Sequence, residues 1–272
     1  MRGGVAGGDT CIVEFLNIHA FSSNKVKTKQ WISLKGKQRV TAEKVNSYAS
    51  PPLLIRSKPI AHVISVPAAV SGMGPFPVLC FLHGRGEAGP MPIRKALTLH
   101  GPLRRDNSPR VLERFLIVAP QLPAPGGDIW GQRAAEVRHV VETIREQYHG
   151  DPERTYLTGF SYGGNGVFDI AIAEPELWAA LWSVDPTRAP NDRLPCSLWI
   201  SLGEASRKQR AAFMRAINQL REIRAGGTIP DCDFLCDDKG KDHVDTAKVA
   251  FGEDRTYDWL LSRNRQRSAS RI

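Results

Sequence analysis

From residue 60 onward, short unbroken apolar runs alternate with segments whose apolar residues recur at three- and four-residue steps. Such short runs are typical of strands buried on both faces of a parallel sheet, and the longer periodic segments are typical of amphipathic helices. Their alternation predicts an α/β fold with a mostly parallel central sheet and helices on both faces. The predicted strands are 60–66, 78–82, 115–119, 155–157, 181–184 and 198–202, and the predicted helices are 134–148, 164–173, 211–225 and 256–261.

This pattern divides the 272-residue chain into three parts. Residues 1–55 form an N-terminal extension without a clear pattern, apart from a candidate strand at 11–18. Residues 56–262 are long enough to build one domain with a substantial buried core. Residues 263–272 are rich in arginine and are expected to form a flexible basic tail.

Composition argues against several functions. The net charge is +9, and four arginines lie in the last ten residues. The remaining charge is spread along the chain with no basic run interleaved with aromatics, so no nucleic-acid partner is expected. Without a long apolar run or a secretory signal, the chain is expected to be cytoplasmic and not inserted in a membrane. Its five cysteines are an odd number, which argues against a disulfide framework. Cys232 and Cys236 lack the second half of a zinc site, so no metal site is expected.

The segment Gly159-Phe160-Ser161-Tyr162-Gly163 fits the pattern G-x-S-x-G between a predicted strand and a predicted helix. In this motif the serine occupies a sharp, strained turn that exposes its hydroxyl, and the glycines let the strand and the helix pass closely. The N-terminus of the following helix favours developing negative charge. Ser161 is therefore the candidate nucleophile of an acyl transfer.

An acyl-transfer serine needs hydrogen-bond donors for the oxyanion that forms on the substrate. The backbone N–H of Tyr162, the residue after the nucleophile, is the expected first donor. The second is expected from a glycine-rich turn after an earlier strand, where the Arg85 N–H is preferred and Gly84 and Gly86 are alternatives. These two glycines and Trp130 are also candidate substrate contacts, although core packing suits Trp130 as well.

A single histidine, His243, follows Ser161 in the sequence. It lies in a predicted loop before the last helix, where the order serine, acid, histidine places the general base. His83 lies in the glycine-rich turn instead, and its expected role is to support that turn.

The triad acid is the least clearly encoded residue. Glu204 is the one carboxylate in the loop after the predicted strand 198–202 and is preferred. Asp185 is the alternative, because its strand is expected to lie next to the strand of the nucleophile. Asp237 and Asp238 are more remote candidates. Asp242 adjoins His243 in the sequence too closely to reach around its ring.

Several segments together carry a family resemblance. They are 78–89 (VLCFLHGRGEAG), 118–122 (VAPQL) with Trp130, 151–164 (DPERTYLTGFSYGG), and His243 with 257–261 (YDWLL). Across residues 60–262 the chain resembles the esterase and predicted-peptidase branch of the α/β hydrolases, related to phospholipase/carboxylesterases, feruloyl esterases and polyhydroxybutyrate depolymerases.

The resemblance implies the α/β-hydrolase fold and a cofactor-free hydrolase of small carboxylic esters. It implies that Ser161 is the nucleophile and His243 the base. It also implies that the backbone N–H groups of Tyr162 and Arg85 stabilise the oxyanion. One position departs from the family. An aspartate usually stands three residues after the glycine that corresponds to Gly203, and this chain has Ser206 there. Either the acid has moved, to Glu204 or Asp185, or the triad is degraded.

Three functions are compatible with these features. The first is a serine esterase, and the second is a peptidase with the same machinery, because ester and amide hydrolysis share the tetrahedral step. The third is a catalytically silent hydrolase-fold protein that binds a ligand or a partner. The missing aspartate favours the silent protein, whereas Ser161 in its motif and His243 favour an enzyme.

Overall fold

The computed structural model describes residues 12–13, 53–67, 75–107, 109–190, 194–225 and 234–265. The expectations for most of the N-terminal extension and for residues 266–272 lie outside these ranges. The described strands are β1 (Ile12–Val13), β2 (Leu53–Arg56), β3 (His62–Ser65), β4 (Phe76–Leu82), β5 (Leu116–Pro120), β6 (Gly150–Phe160), β7 (Ala180–Val184), β8 (Ser197–Leu202) and β9 (Phe234–Asp238). The described helices are α1 (Ile93–Leu97), α2 (Pro109–Arg114), α3 (Ala134–Gln147), α4 (Tyr162–Ala173), α5 (Ala211–Ala225), α6 (His243–Gly252) and α7 (Asp254–Leu261).

All the described strands join one sheet in the order β1-β2-β3-β5-β4-β6-β7-β8-β9. The strands from β5 to β9 pair in parallel, and β1, β2 and β3 add an antiparallel edge. The predicted α/β fold with a mostly parallel sheet is confirmed. Because parallel strands end at the same edge of a sheet, the segments after β4, β6, β7 and β8 meet there.

Two apolar layers cover the sheet, one on each face. Along β4, Val78, Cys80 and Leu82 pack into one layer, and Leu79 and Phe81 pack into the other. Helices α3, α4 and α5 close the first layer, and α1, α2, α6 and α7 close the second. Both faces of the strand are therefore apolar, which is why its sequence is an unbroken apolar run. Each fully buried large side chain contributes about 1.5–3 kcal/mol to folding.

No helix in the described ranges is long and apolar enough to cross a lipid bilayer.

The structure differs from the sequence expectations at the two ends of the domain. Residues 53–55, assigned to the N-terminal extension, belong to β2, and Ile12–Val13 pairs with it. At the other end, Arg265 was assigned to the flexible tail. Its backbone N–H donates to Glu153 O at 2.7 Å, and its guanidinium donates to Glu176 O at 2.7 Å.

A further difference concerns the segment that carries His243. This residue was expected in a loop, but it begins α6. The cap is Asp242, whose Oδ1 accepts hydrogen bonds from the N–H groups of Val244 at 3.0 Å and Asp245 at 2.9 Å. An aspartate in this position satisfies helix donors that have no partner within the helix. The cap therefore fixes where the helix starts and where His243 stands.

Candidate active site

Ser161 lies on the tight turn between β6 and α4, with φ 58° and ψ −118°. A positive φ is strained for a residue with a side chain, and such strain is concentrated at functional sites. A Cβ at Gly163 would lie 2.0 Å from Leu82 O, and a Cβ at Gly159 would lie 2.2 Å from Gly163 O. Both flanking positions therefore require glycine, as the motif predicts.

His243 meets Ser161 at the carboxyl edge of the sheet, although 82 residues separate them in the sequence. The distance from His243 Nε2 to Ser161 Oγ is 2.9 Å. In this arrangement the hydroxyl donates its proton to the ring nitrogen, which is the geometry that activates a serine nucleophile.

Asp185 occupies the other side of the same ring, 2.5 Å from Oδ2 to His243 Nδ1. With its Nδ1–H donated to this carboxylate, the imidazole leaves Nε2 free to accept from Ser161. The carboxylate has no exposed surface, and its Oδ1 accepts from Gly203 N at 2.9 Å. Asp185 itself has φ 46°, so the acid, like the serine, sits on strained backbone just beyond its strand.

Glu204, the preferred acid at the sequence level, lies elsewhere. It begins a π-helical turn, is exposed, and lines a surface depression of about 470 Å³ together with Lys208, Gln209, Asp238 and Gly240. Among the described residues, the structure brings Asp185 and not Glu204 into hydrogen-bond contact with the ring of His243.

The glycine-rich turn after β4 lies against the nucleophile. A Cβ at Gly84 would be 3.3 Å from the Cβ of Ser161. Arg85 begins a 3-10 turn and Tyr162 begins α4. The N–H groups of first-turn residues have no acceptor within their own helix, so both can donate to a bound oxyanion. Gly86 is exposed, and a Cβ there would meet no atom within 4 Å.

His83 supports this turn from inside the protein. Its Nε2 accepts from Leu122 N at 3.0 Å, so its Nδ1–H donates to Gly84 O at 2.5 Å. Burial lowers its pKa to about 4, which keeps the ring neutral. Trp130, a candidate substrate contact, has no exposed surface and donates from Nε1 to His83 O at 3.0 Å. Trp130 therefore supports the turn from the protein interior and does not face the solvent. Its indole packs in the core against Gly166.

Sequence reasoning missed the aromatic contact of the base. The ring centroids of Phe160 and His243 lie 4.5 Å apart, with an interplanar angle of 31°. The ring of His100 packs against Phe160 with a centroid distance of 5.1 Å. His100 in turn lies 3.3 Å from Glu87, a nearly buried carboxyl whose pKa is raised by burial. The position of Phe160 beside the serine in G-x-S-x-G was the available signal.

A mostly parallel sheet, with a serine on the turn after a central strand and a histidine and a carboxylate at the same edge, is the arrangement of the α/β-hydrolase fold. The chain has this fold, as the resemblance implied. The sequence matches no protein-family model and no curated protein.

Solved structures share the architecture at low sequence identity. A thermostable esterase is 21% identical over 78% of this chain and 63% of its own, with a TM-score of 0.55. The fluorophosphonate-binding serine hydrolase FphF of Staphylococcus aureus is 12% identical over 77% of this chain and 97% of its own, also at 0.55. An S-formylglutathione hydrolase of Agrobacterium tumefaciens is 16% identical over 78% and 94%, at 0.53. The chain spans less than two thirds of the thermostable esterase and nearly all of the other two.

Proposed function

We propose that the protein is a serine hydrolase that cleaves carboxylic esters through an acyl-enzyme. Ser161 is the nucleophile, His243 the general base and Asp185 the triad acid. The observation that carries the proposal is the continuous hydrogen-bonded chain through the His243 ring, 2.9 Å to Ser161 Oγ and 2.5 Å to Asp185 Oδ2. The proposal replaces Glu204 with Asp185 as the acid, since only a carboxylate that contacts the ring can orient it.

In the first half of the reaction, Ser161 Oγ attacks the ester carbonyl carbon while His243 Nε2 takes the hydroxyl proton. The carbonyl oxygen becomes an oxyanion that accepts hydrogen bonds from the N–H groups of Tyr162 and Arg85. Each such donor lowers the barrier by about 3 kcal/mol. The Asp185 carboxylate accepts the hydrogen bond from His243 Nδ1–H and stabilises the imidazolium.

To complete this half, His243 gives its proton to the departing alkoxide oxygen as the ester C–O bond breaks. The acyl group then remains on Ser161. A water molecule then loses a proton to His243 and attacks the acyl carbon. When this tetrahedral species collapses, the bond to Ser161 Oγ breaks and His243 returns the proton to the serine. The products are one carboxylic acid and one alcohol, and the enzyme is unchanged.

Ester substrates are supported by the neighbours named as an esterase and as S-formylglutathione hydrolases, the latter acting on a thioester. A neighbour named as a putative dipeptidyl aminopeptidase IV, 10% identical with a TM-score of 0.50, keeps a peptidase as the second candidate. A peptidase would use the same residues with an amine as leaving group. A silent binding protein would have no need of a base within hydrogen-bond distance of a strained serine.

A fluorophosphonate probe tests the proposal, because it labels only an activated serine. We expect labelling of the wild type and of the control Ser262→Ala, and none of Ser161→Ala or His243→Gln. Rates on p-nitrophenyl esters and aminoacyl anilides then separate esterase from peptidase. A correctly folded wild type that neither reacts with the probe nor cleaves either substrate would establish the silent protein.

A further inference from the structure

Arg207 is a nearly buried arginine directly after Ser206, the position where the family usually has its aspartate. It lies on the π-helical turn Glu204–Lys208 and is only 5% exposed. A guanidinium removed from water is costly unless its N–H groups find acceptors. The hydrogen-bond acceptors around the guanidinium therefore indicate the role of this residue.

The acceptors are carbonyls of the loop that bears the acid. Arg207 Nη2 donates to Asp185 O at 3.1 Å, and Nε donates to Pro186 O. A third bond, from Nη1 to Ser206 O at 2.8 Å, fixes the guanidinium to its own turn. The planar fork thus holds two successive carbonyls, which a lysine ammonium cannot do in the same way.

The hold is reciprocal. Arg207 N donates to Gly203 O at 3.0 Å, and Gly203 N donates to Asp185 Oδ1 at 2.9 Å. The turn after β8 and the loop after β7 therefore fix each other through both backbone and side chains. Strained backbone such as that of Asp185, with φ 46°, persists only where the surroundings over-determine it.

The guanidinium also places positive charge behind the carboxylate. Arg207 Nη2 lies 3.7 Å from Asp185 Oδ2, the oxygen that faces His243. Burial lowers the pKa of Arg207, and the charge of Asp185 opposes this change. A cation at this distance attracts the carboxylate and so helps to hold its position.

We infer that Arg207 is a positioning residue of the triad, which holds Asp185 in the orientation that fixes the His243 tautomer. The inference rests on the proposed function for its catalytic consequence. Arg207 is nearly buried against Asp185, so its loss is expected to lower kcat and to leave KM unchanged.

The test compares Arg207→Met, Arg207→Lys and the exposed neighbour control Arg210→Met in the full chain. For Arg207→Met we expect kcat on a p-nitrophenyl ester to fall about tenfold to a hundredfold, with KM within about twofold. Arg207→Lys restores the charge without the fork and is expected to recover part of the loss. Arg210→Met is expected to match the wild type.

The ring ¹⁵N resonances of His243, assigned with His243→Gln, give a readout that needs no activity. We expect the wild type to show a single Nδ1–H tautomer and Arg207→Met to show a mixture. An inactive wild type would end the proposed function, while these resonances would still decide the role of Arg207. If Arg207→Met does not fold, Arg207→Lys decides. Unchanged kcat and tautomer in the folded variants would overturn the inference.

Discussion

The side chain of Asp185 accepts a hydrogen bond from the backbone of Gly203 at 2.9 Å, so the end of β7 is tied to the end of β8. This contact relates the site to the departure seen in the sequence. The loop after β8 has Ser206 where the family usually has an aspartate. Its glycine instead holds a carboxylate that comes from the neighbouring strand, next to the strand of the nucleophile.

The two candidate acids are expected to behave differently when their charge is removed. Asp185→Asn keeps the shape, but its amide can donate to His243 Nδ1 and so select the wrong tautomer, which lowers kcat by about 10,000-fold in serine enzymes of this type. Glu204→Gln is expected to leave kcat unchanged, because Glu204 is exposed and away from the ring. Steady-state rates on one ester decide between them. The reverse pattern would return the acid to Glu204.

The close packing of the nucleophile turn predicts a large cost for one added methyl group. In Gly163→Ala the new Cβ would meet backbone oxygens of Leu82 at 2.0 Å and His83 at 2.6 Å, which cannot move aside as a flexible side chain could. We expect the free energy of unfolding to fall by about 3 kcal/mol or more. The control Gly86→Ala has open space and is expected to change stability by less than about 1 kcal/mol. Equal effects in denaturant unfolding would contradict this account.

The aromatic contact of the base predicts a kinetic effect. Phe160→Leu removes the ring that packs on the imidazole at 4.5 Å, so His243 gains freedom and kcat is expected to fall about tenfold. Phe81→Leu is the matched control, because its ring packs edge-on against Phe251 in the core. Measured well below the unfolding temperature, it is expected to keep full kcat. Parallel losses of kcat in both variants would show a general packing effect.

The buried ring of His83 predicts a pH dependence of stability. Its pKa is about 4 in the folded protein against an ordinary value of 6.5, so the unfolded chain binds the proton more readily. The contribution of the neutral His83 ring to the free energy of unfolding is fully present above pH 6.5. It is lost as the pH falls from 6.5 towards 4, and the total loss is about 3 kcal/mol.

The variant His83→Gln isolates this contribution, because His62 and His100 also have pKa values lowered by burial and act in the same direction. The difference in unfolding free energy between the wild type and His83→Gln should shrink as the pH falls from 6.5 to 4. A difference that stays constant over this range would mean that the ring is not kept neutral by burial.

Strands buried on both faces could be predicted from the sequence, because they consist mainly of apolar residues. The runs within β4 and β8 were found for this reason. β9 was missed, since it lies at the edge of the sheet and its pattern, Phe234 to Asp238, is half polar and only partly buried. The start of α6 was also missed, although Asp242 is a typical N-cap residue followed by a helical segment.

The nucleophile and the base could be predicted because local rules define them: a motif fixes Ser161, and a single histidine follows it. The choice between Glu204 and Asp185 depends on how the ends of β7 and β8 approach each other in three dimensions. That relation arises from the sheet register, in which Val184 pairs with Ser201, and no local pattern encodes it.

The positive φ angles of Ser161 and Asp185 relate the chemistry of these residues to the stability of the fold. Glycine would relieve the torsional cost at either position, so a chain under selection for durability alone would be expected to drift towards it. Ser161 and Asp185 nevertheless carry side chains at these angles, which indicates that their chemistry outweighs the lost stability. Variants such as Ser161→Gly, selected for resistance to heat, would then be more durable and inert.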